Sequence, residues 1–357
     1  MATPKPPTFV AKTPPTFEEM KPEIDNHLRY LEVCAKQRLL SKEQPDSKQT
    51  EEVLEKISIF TGFKRPTGYG IPSFCADFFH SFGNYMVQEG ICKTFLKLYK
   101  SLLKYVNRWK SQGYSNLCLL VNILWSLADK SREFGKELMA NGCVPYLLEA
   151  IKGENSADQE RHKFNVRILN TLRYIICRSP LHRDGYRNAN AIPVLRRCMT
   201  STHKLTQVMA LVTISYVVNT EDERGLLVHD FGIPWVVRLL KEAVTDKDHY
   251  NPICMSAFDT LDAINHLIIA DFNKAAMLRL GAIPLIIRML EDDFSDEEHK
   301  AAVEALHSLS SKGGIRESNV MQGAAPSKYP KMISATGRND RMTFFSPMVF
   351  RWRFYRK

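Results

Sequence analysis

The chain has 357 residues, 44% of them hydrophobic, enough for a sizeable core and for either two ordinary domains or one elongated array. Its net charge of +10 is uneven: between residues 315 and 357 nine basic residues are opposed only by Glu317 and Asp340, so this stretch holds +7 and the rest about +3. The folded part is too weakly basic to point to nucleic acid; eight cysteines without a C-x-x-C pair exclude an evident disulfide frame; and the most apolar run, 117–128, is too short to span a bilayer.

Residues 1–22 carry prolines at 4, 6, 7, 14, 15 and 22 and read as a disordered or polyproline-like lead, a spacer or a ligand for an SH3 or WW module. From Glu23 the pattern is helical, with Ile24, Leu28, Leu31, Cys34 and Ala35 on one face. After a polar break at 41–48, Val53, Leu54, Ile57 and Ile59 predict a second short helix. Together, residues 23–70 are expected to form a helical cap. Gly68-Tyr69-Gly70 lacks the third glycine and preceding strand of a nucleotide fingerprint. Phe74, Phe78, Phe79, Phe82 and Tyr85 have the spacing of a helix that buries aromatic rings. The next helix places Lys93, Lys97, Lys100 and Lys104 along one side, either a solvated face or a docking stripe for acidic peptide, phospholipid or phosphate.

A stereotyped helix entrance then recurs. Gly142-Cys143-Val144-Pro145, Asn190-Ala191-Ile192-Pro193, Gly232-Ile233-Pro234 and Gly281-Ala282-Ile283-Pro284 each precede an apolar helix, and their prolines lie 48, 41 and 50 residues apart. Glycine can leave the preceding helix with a left-handed backbone, and proline suits the first turn of the next. Gly90-Ile91-Cys92-Lys93 reads as a degenerate copy. A helical period of about 40 to 47 residues is the mark of armadillo and HEAT arrays.

The entrances, together with Leu120-Val121-Asn122-Ile123-Leu124-Trp125-Ser126-Leu127-Ala128-Asp129, resemble the armadillo family, whose second and third helices carry G-x-I-P-x-L-V-x-L-L and A-x-W-A-L-x-N-L patterns. The resemblance implies an all-α, right-handed superhelix of about five repeats over residues 71–314. Its third helices have a core series at Val121, Leu124 and Leu127; Val166, Leu169 and Leu172; Val208, Leu211 and Ile214; Phe258, Leu261 and Ile264; and Val303, Leu306 and Leu309.

In the family, exposed third-helix positions line a concave groove that binds extended peptides. Carried over by alignment, the tryptophan slot holds Trp125, Asn170, Val212, Asp262 and His307, and the slot three residues earlier holds Asn122, Arg167, Met209, Asp259 and Glu304. The asparagine slot holds Asp129, Tyr174, Tyr216, His266 and Ser311. No asparagine stands in the asparagine slot and only one tryptophan remains, a departure from the family's peptide clamp. Asp259, Asp262 and Glu304, with an acidic loop at 291–298, suggest that the carboxyl end prefers basic segments, while Trp125, Tyr174 and Tyr216 offer apolar anchorage.

The sequence shows no phosphate-binding lysine loop, H-E-x-x-H, EF-hand or G-x-S-x-G motif, and Ser101-x-x-Lys104 stands without companions. The expected protein is a non-enzymatic adaptor or scaffold, without cofactor or metal, whose partner is a protein or peptide in the groove. The alternative is the regulatory array of a larger signalling enzyme, such as an armadillo–TIR protein or an armadillo ubiquitin ligase. Cysteines set among apolar residues, and an amino terminus without a secretory apolar core, suggest the cytoplasm or nucleus. Gly323-Ala324-Ala325-Pro326, 42 residues after Pro284, opens a further copy that is not completed. Residues 315–357 are read as that incomplete repeat followed by a basic, aromatic tail, a truncated terminus or a membrane or nucleic-acid segment.

Overall fold

The computed structural model describes residues 16–40, 47–61, 76–106, 108, 111–151, 159–177, 182–218, 223, 225, 227, 232–246, 251, 255–291 and 293–310. The described regular structure is helical, and the chain divides into two units, 1–150 and 151–357. The first holds α1 (Phe17–Leu40), α2 (Ser47–Phe60), α3 (Ala76–Gln88), α4 (Ile91–Leu102), α5 (Gln112–Lys130), α6 (Arg132–Ala140) and nearly all of α7 (Cys143–Ile151). The second holds α8 (Gln159–Cys177), α9 (Arg183–Asn188), α10 (Ala191–Met199), α11 (Lys204–Val217), α12 (Gly232–Thr245), α13 (Ala257–Leu267), α14 (Asp271–Arg279), α15 (Ala282–Glu291) and α16 (Asp296–Ser310).

The entrances explain how successive helices are joined. Gly90, Gly142 and Gly281 have φ of 67°, 70° and 75°, and Asn190 stands in the same left-handed region at 55°. Glycine takes this conformation without a Cβ penalty, and asparagine is among the few other residues that tolerate it. At each site the same turn closes the preceding segment: Gly90 N donates to Val87 O (3.0 Å), Gly142 N to Met139 O (2.9 Å), Asn190 N to Arg187 O (2.9 Å) and Gly281 N to Leu278 O (3.2 Å). Lys93 occupies the proline position of the degenerate copy, and its N–H is satisfied by Gly90 O at 3.2 Å.

In the first unit, α3, α4 and α5 pack on one another, α1 lies on α4, and α2 lies on α5. The expected cap thus takes the places of a second and third repeat helix. In the second unit, the third helices α8, α11, α13 and α16 stack in succession, α12 packs on α13 and α15, and α14 on α15. Each unit has the all-α, armadillo-like arrangement of stacked helices expected from the sequence.

Two boundaries differ from the sequence reading. The lead was expected to run through residue 22, but α1 begins at Phe17 with Pro22 inside it. Thr16 N donates to Glu19 Oε2 at 2.7 Å and Glu19 N to Thr16 Oγ1 at 3.4 Å, a reciprocal cap. Phe17 adds edge contacts to the rings of Phe78 (5.9 Å) and Tyr85 (5.4 Å), which anchor this first turn. The acidic loop is likewise shorter than expected, because Asp296, Glu297 and Glu298 form the first turn of α16, where carboxylates complement the helix dipole.

The rings of Phe78, Phe79, Phe82 and Tyr85 are buried, as their spacing predicts; Phe74 falls outside the described residues. Each fully buried side chain of this size contributes roughly 1.5–3 kcal/mol through removal of apolar surface from water. Cys34, Cys92, Cys143 and Cys198 are buried free thiols, Cys118 and Cys177 are partly exposed and outside any disulfide, and Cys75 and Cys254 lie outside the described residues. Burial raises the thiol pKa of Cys92 to about 12 and that of Cys198 to about 11.

Candidate protein-binding faces on the third helices

In the first unit the candidate side chains come from α5, whose N-cap Ser111 accepts from Tyr114 N. Asn122 is buried with its Oδ1 lacking a hydrogen-bond partner, while Trp125 and Asp129 are partly exposed. Beneath them α5 is tied to the end of α2: Ser126 Oγ donates to Thr61 O at 2.8 Å and Lys130 Nζ to the same oxygen at 2.9 Å. Lys130 also lies over the Phe79 ring at 4.3 Å. Burial lowers the pKa of this amine to about 7, against the pull of Asp129. Trp125 and Asp129 therefore stand on a braced helix, the arrangement a binding residue needs.

In the second unit several of the predicted slots meet one another rather than solvent. Tyr174 and Tyr216 are each 3% exposed, which corrects the expectation of exposed aromatic anchors. Tyr174 Oη donates to Asp259 Oδ2 at 3.0 Å, and Tyr216 Oη donates to Asp262 Oδ2 at 2.6 Å. Arg173, fully buried, pairs with Asp259 through Nη1 at 3.2 Å and lies 3.8 Å from the Tyr174 ring centre. Asp259 also closes the capping box of α13 with Ser256. Tyr216 packs on His266 with ring centres 4.3 Å apart. Burial raises the Tyr216 phenol pKa and lowers that of His266. Asp259 and Asp262 are thus committed to internal bonds, which corrects the expectation that they offer free charge to a basic ligand.

The remaining slots divide by exposure. Asn170, Met209 and Val212 are buried, with Asn170 Oδ1 left without a partner; Arg167 is partly exposed; Glu304 and His307 are exposed; Ser311 lies outside the described residues. Glu298, expected at the acidic rim, is buried because its Oε2 accepts from Ser295 N (2.8 Å) and Ser295 Oγ (2.6 Å). Glu291, Asp293, Asp296 and Glu297 are exposed.

Sequence reasoning missed Arg173 and Arg183. Arg183 Nε donates to Tyr216 O at 2.9 Å and so fixes the end of α11. The available signal for Arg173 was a lone arginine in the apolar run Leu172–Ile176, which needs a buried acceptor. His203 also has a structural role: its Nδ1 accepts from Thr206 N at 3.4 Å, and its ring stacks on His162 with centres 4.5 Å apart. Burial, then His162, lowers its pKa to about 4.

Lys93, Lys97, Lys100 and Lys104 are all exposed along α4 and its following turn. Lys100 Nζ sits 3.9 Å from the Tyr146 ring centre and Lys104 Nζ 5.0 Å from that of Tyr105. Among the described residues there is no group of three or more histidine, cysteine or acidic side chains placed to hold a metal, and no helix long and apolar enough to cross a membrane.

No family model and no curated protein matches the chain. Among solved structures, the chain is similar to an engineered protein at 17% identity, with a TM-score of 0.45, covering 80% of this chain and 97% of that one. A designed armadillo repeat protein matches at 15% identity and TM-score 0.45, covering 78% and 99%. A second, described in complex with the peptide (KR)4, matches at 14% identity and TM-score 0.44, covering 80% and 99%.

Proposed function

We propose that this protein is a non-catalytic binding module that holds extended segments of a partner protein on the open third-helix faces of each unit. The observation that carries this reading is the division of labour among the aligned slots. Tyr216 with Asp262 ties α11 to α13, and Tyr174 with Asp259 ties α8 to α13, while Arg167 on α8, Trp125 and Asp129 on α5, and Glu304 and His307 on α16 remain at least partly exposed. Rigid helices presenting varied polar and aromatic side chains lower the entropic cost of holding a flexible segment. Trp125 is the aromatic anchor of the first unit. Glu304, with Asp296 and Glu297 about two turns before it, gives the α16 end a preference for basic segments.

The proposed setting is a reducing one, cytoplasm or nucleus, which suits buried free thiols. Display of random linear peptides on the full chain tests the binding reading. Enrichment of lysine- and arginine-bearing sequences is expected; enrichment of acidic sequences, or of none, would overturn it.

A further inference from the structure

The last described repeat carries the apolar side chains of an interior repeat, yet leaves them uncovered. Leu306 is partly exposed, whereas Leu124, Leu169, Leu211 and Leu261, at the same place in the third-helix series, are each 0% exposed. Leu290 lies six residues after Pro284 and is also partly exposed, whereas Ile151, Met199 and Leu240, six residues after their own prolines, are 2%, 7% and 0% exposed. Ile287 is 40% exposed, whereas Leu148 and Val237, at the same place in α7 and α12, are 3% and 6%, and α10 has the exposed Arg196 there. Val303 is the most exposed large apolar residue of the described chain, at 56%. In a stacked array such side chains are covered by the element packed next to them.

The rim of this face restricts what can cover it. On α15, α16 and the turn between them Glu291, Asp293, Asp296, Glu297 and Glu304 are exposed, against the exposed bases Arg288 and Lys300. A second copy meeting the same face would set these carboxylates against their own counterparts, which is repulsive. The fitting occupant is apolar and cationic together. Residues 344–357, Phe-Phe-Ser-Pro-Met-Val-Phe-Arg-Trp-Arg-Phe-Tyr-Arg-Lys, have that composition and contain no acidic residue. Residues 311–343 supply a tether whose full extension is about 110 Å, against the roughly 22 Å length of α16.

We propose that the α15–α16 face is a docking site for residues 344–357 of the same chain. Aromatic side chains of this segment cover Ile287, Leu290, Val303 and Leu306, and its arginines meet the acidic rim. The proposal concerns the apolar repeat-to-repeat side of the last two helices and shares only its acidic rim, Asp296, Glu297 and Glu304, with the third-helix reading.

A photo-crosslinking residue at Val303, an exposed position whose replacement leaves the core intact, tests this in the full chain. The expected result is a monomer-sized adduct joining position 303 to a peptide within 344–357, with mixed isotope-labelled chains showing that both halves come from one molecule. A dimer-sized adduct, or no adduct within that segment, would overturn the proposal. A full chain carrying Phe350→Ser, Trp352→Ser and Phe354→Ser is expected to exchange the amides of α15 and α16 several-fold faster. Unchanged exchange there would also overturn it.

Discussion

Arg173 and Asp259 meet at 3.2 Å although α8 and α13 are not consecutive third helices: α11 stands between them in the stack. Repeat arrays are held mainly by contacts between neighbours, so a bond that skips a repeat couples three repeats into one cooperative block. Because Arg173 is fully buried, removing its partner leaves an uncompensated charge. Asp259→Asn is expected to cost about 3–5 kcal/mol in urea unfolding. Tyr174→Phe, which deletes one bond to the same carboxylate, is expected to cost only about 1 kcal/mol. The double variant Arg173→Met, Asp259→Leu should be less damaging than Asp259→Asn alone. Equal costs for all three would show that the pair does not organise the block.

The left-handed entrances give a second, sharper expectation. A Cβ at Gly142 or Gly281 would meet no atom within 4 Å, so the cost of alanine there is a backbone cost alone. Gly281→Ala should destabilise by about 1–2 kcal/mol, and Asn190→Gly should raise the thermal midpoint or leave it level. Calorimetry of the two variants decides the matter; a tolerated Gly281→Ala would mean that φ of 75° is not required at that turn.

The histidine cap of α11 predicts an acid response. His203 must stay neutral to accept from Thr206 N, and its folded pKa of about 4 lies below the ordinary 6.5. The folded state therefore binds fewer protons than the unfolded state between those values. Stability is fully present above pH 6.5 and falls as pH drops toward 4. His266 and His27, also lowered by burial, act in the same direction. His203→Asn keeps a capping side chain without the titration, so its thermal midpoint should fall less steeply over this range than that of the parent chain. Parallel pH profiles would refute the assignment.

Thiol chemistry should follow burial. Cys92, Cys143 and Cys198, whose thiol pKa values are raised by burial, should resist iodoacetamide in the native chain and react after unfolding. The partly exposed Cys118 and Cys177 should react first among the described cysteines. Mass spectrometry of timed alkylation reads the order directly.

The helical periodicity and the Gly-x-x-Pro entrances made the stacked-helix fold legible, because both report local backbone needs and apolar period. The left-handed turns at Gly90, Gly142 and Gly281 follow from glycine itself. The candidate face was legible only as positions. Alignment placed Tyr174, Tyr216, Asp259 and Asp262 on one side of their helices, but not the bonds among them. Those bonds join residues 85 and 46 positions apart. Whether a slot is open or filled depends on what the next repeat brings to it. The early start of α1 was hidden for a related reason, since Pro22 argues against helix locally while Phe17 is held by Phe78 and Tyr85 from a distant segment.

The most direct measurement of the binding reading is a fluorescence titration of the full chain with a labelled arginine- and lysine-rich peptide and with an acidic one of equal length. The reading predicts saturable binding of the basic peptide, weakened about tenfold by Glu304→Lys, the loss of one contact worth roughly 1.4 kcal/mol. Tighter binding of the acidic peptide, or basic-peptide binding unchanged by Glu304→Lys and Trp125→Ala, would contradict it.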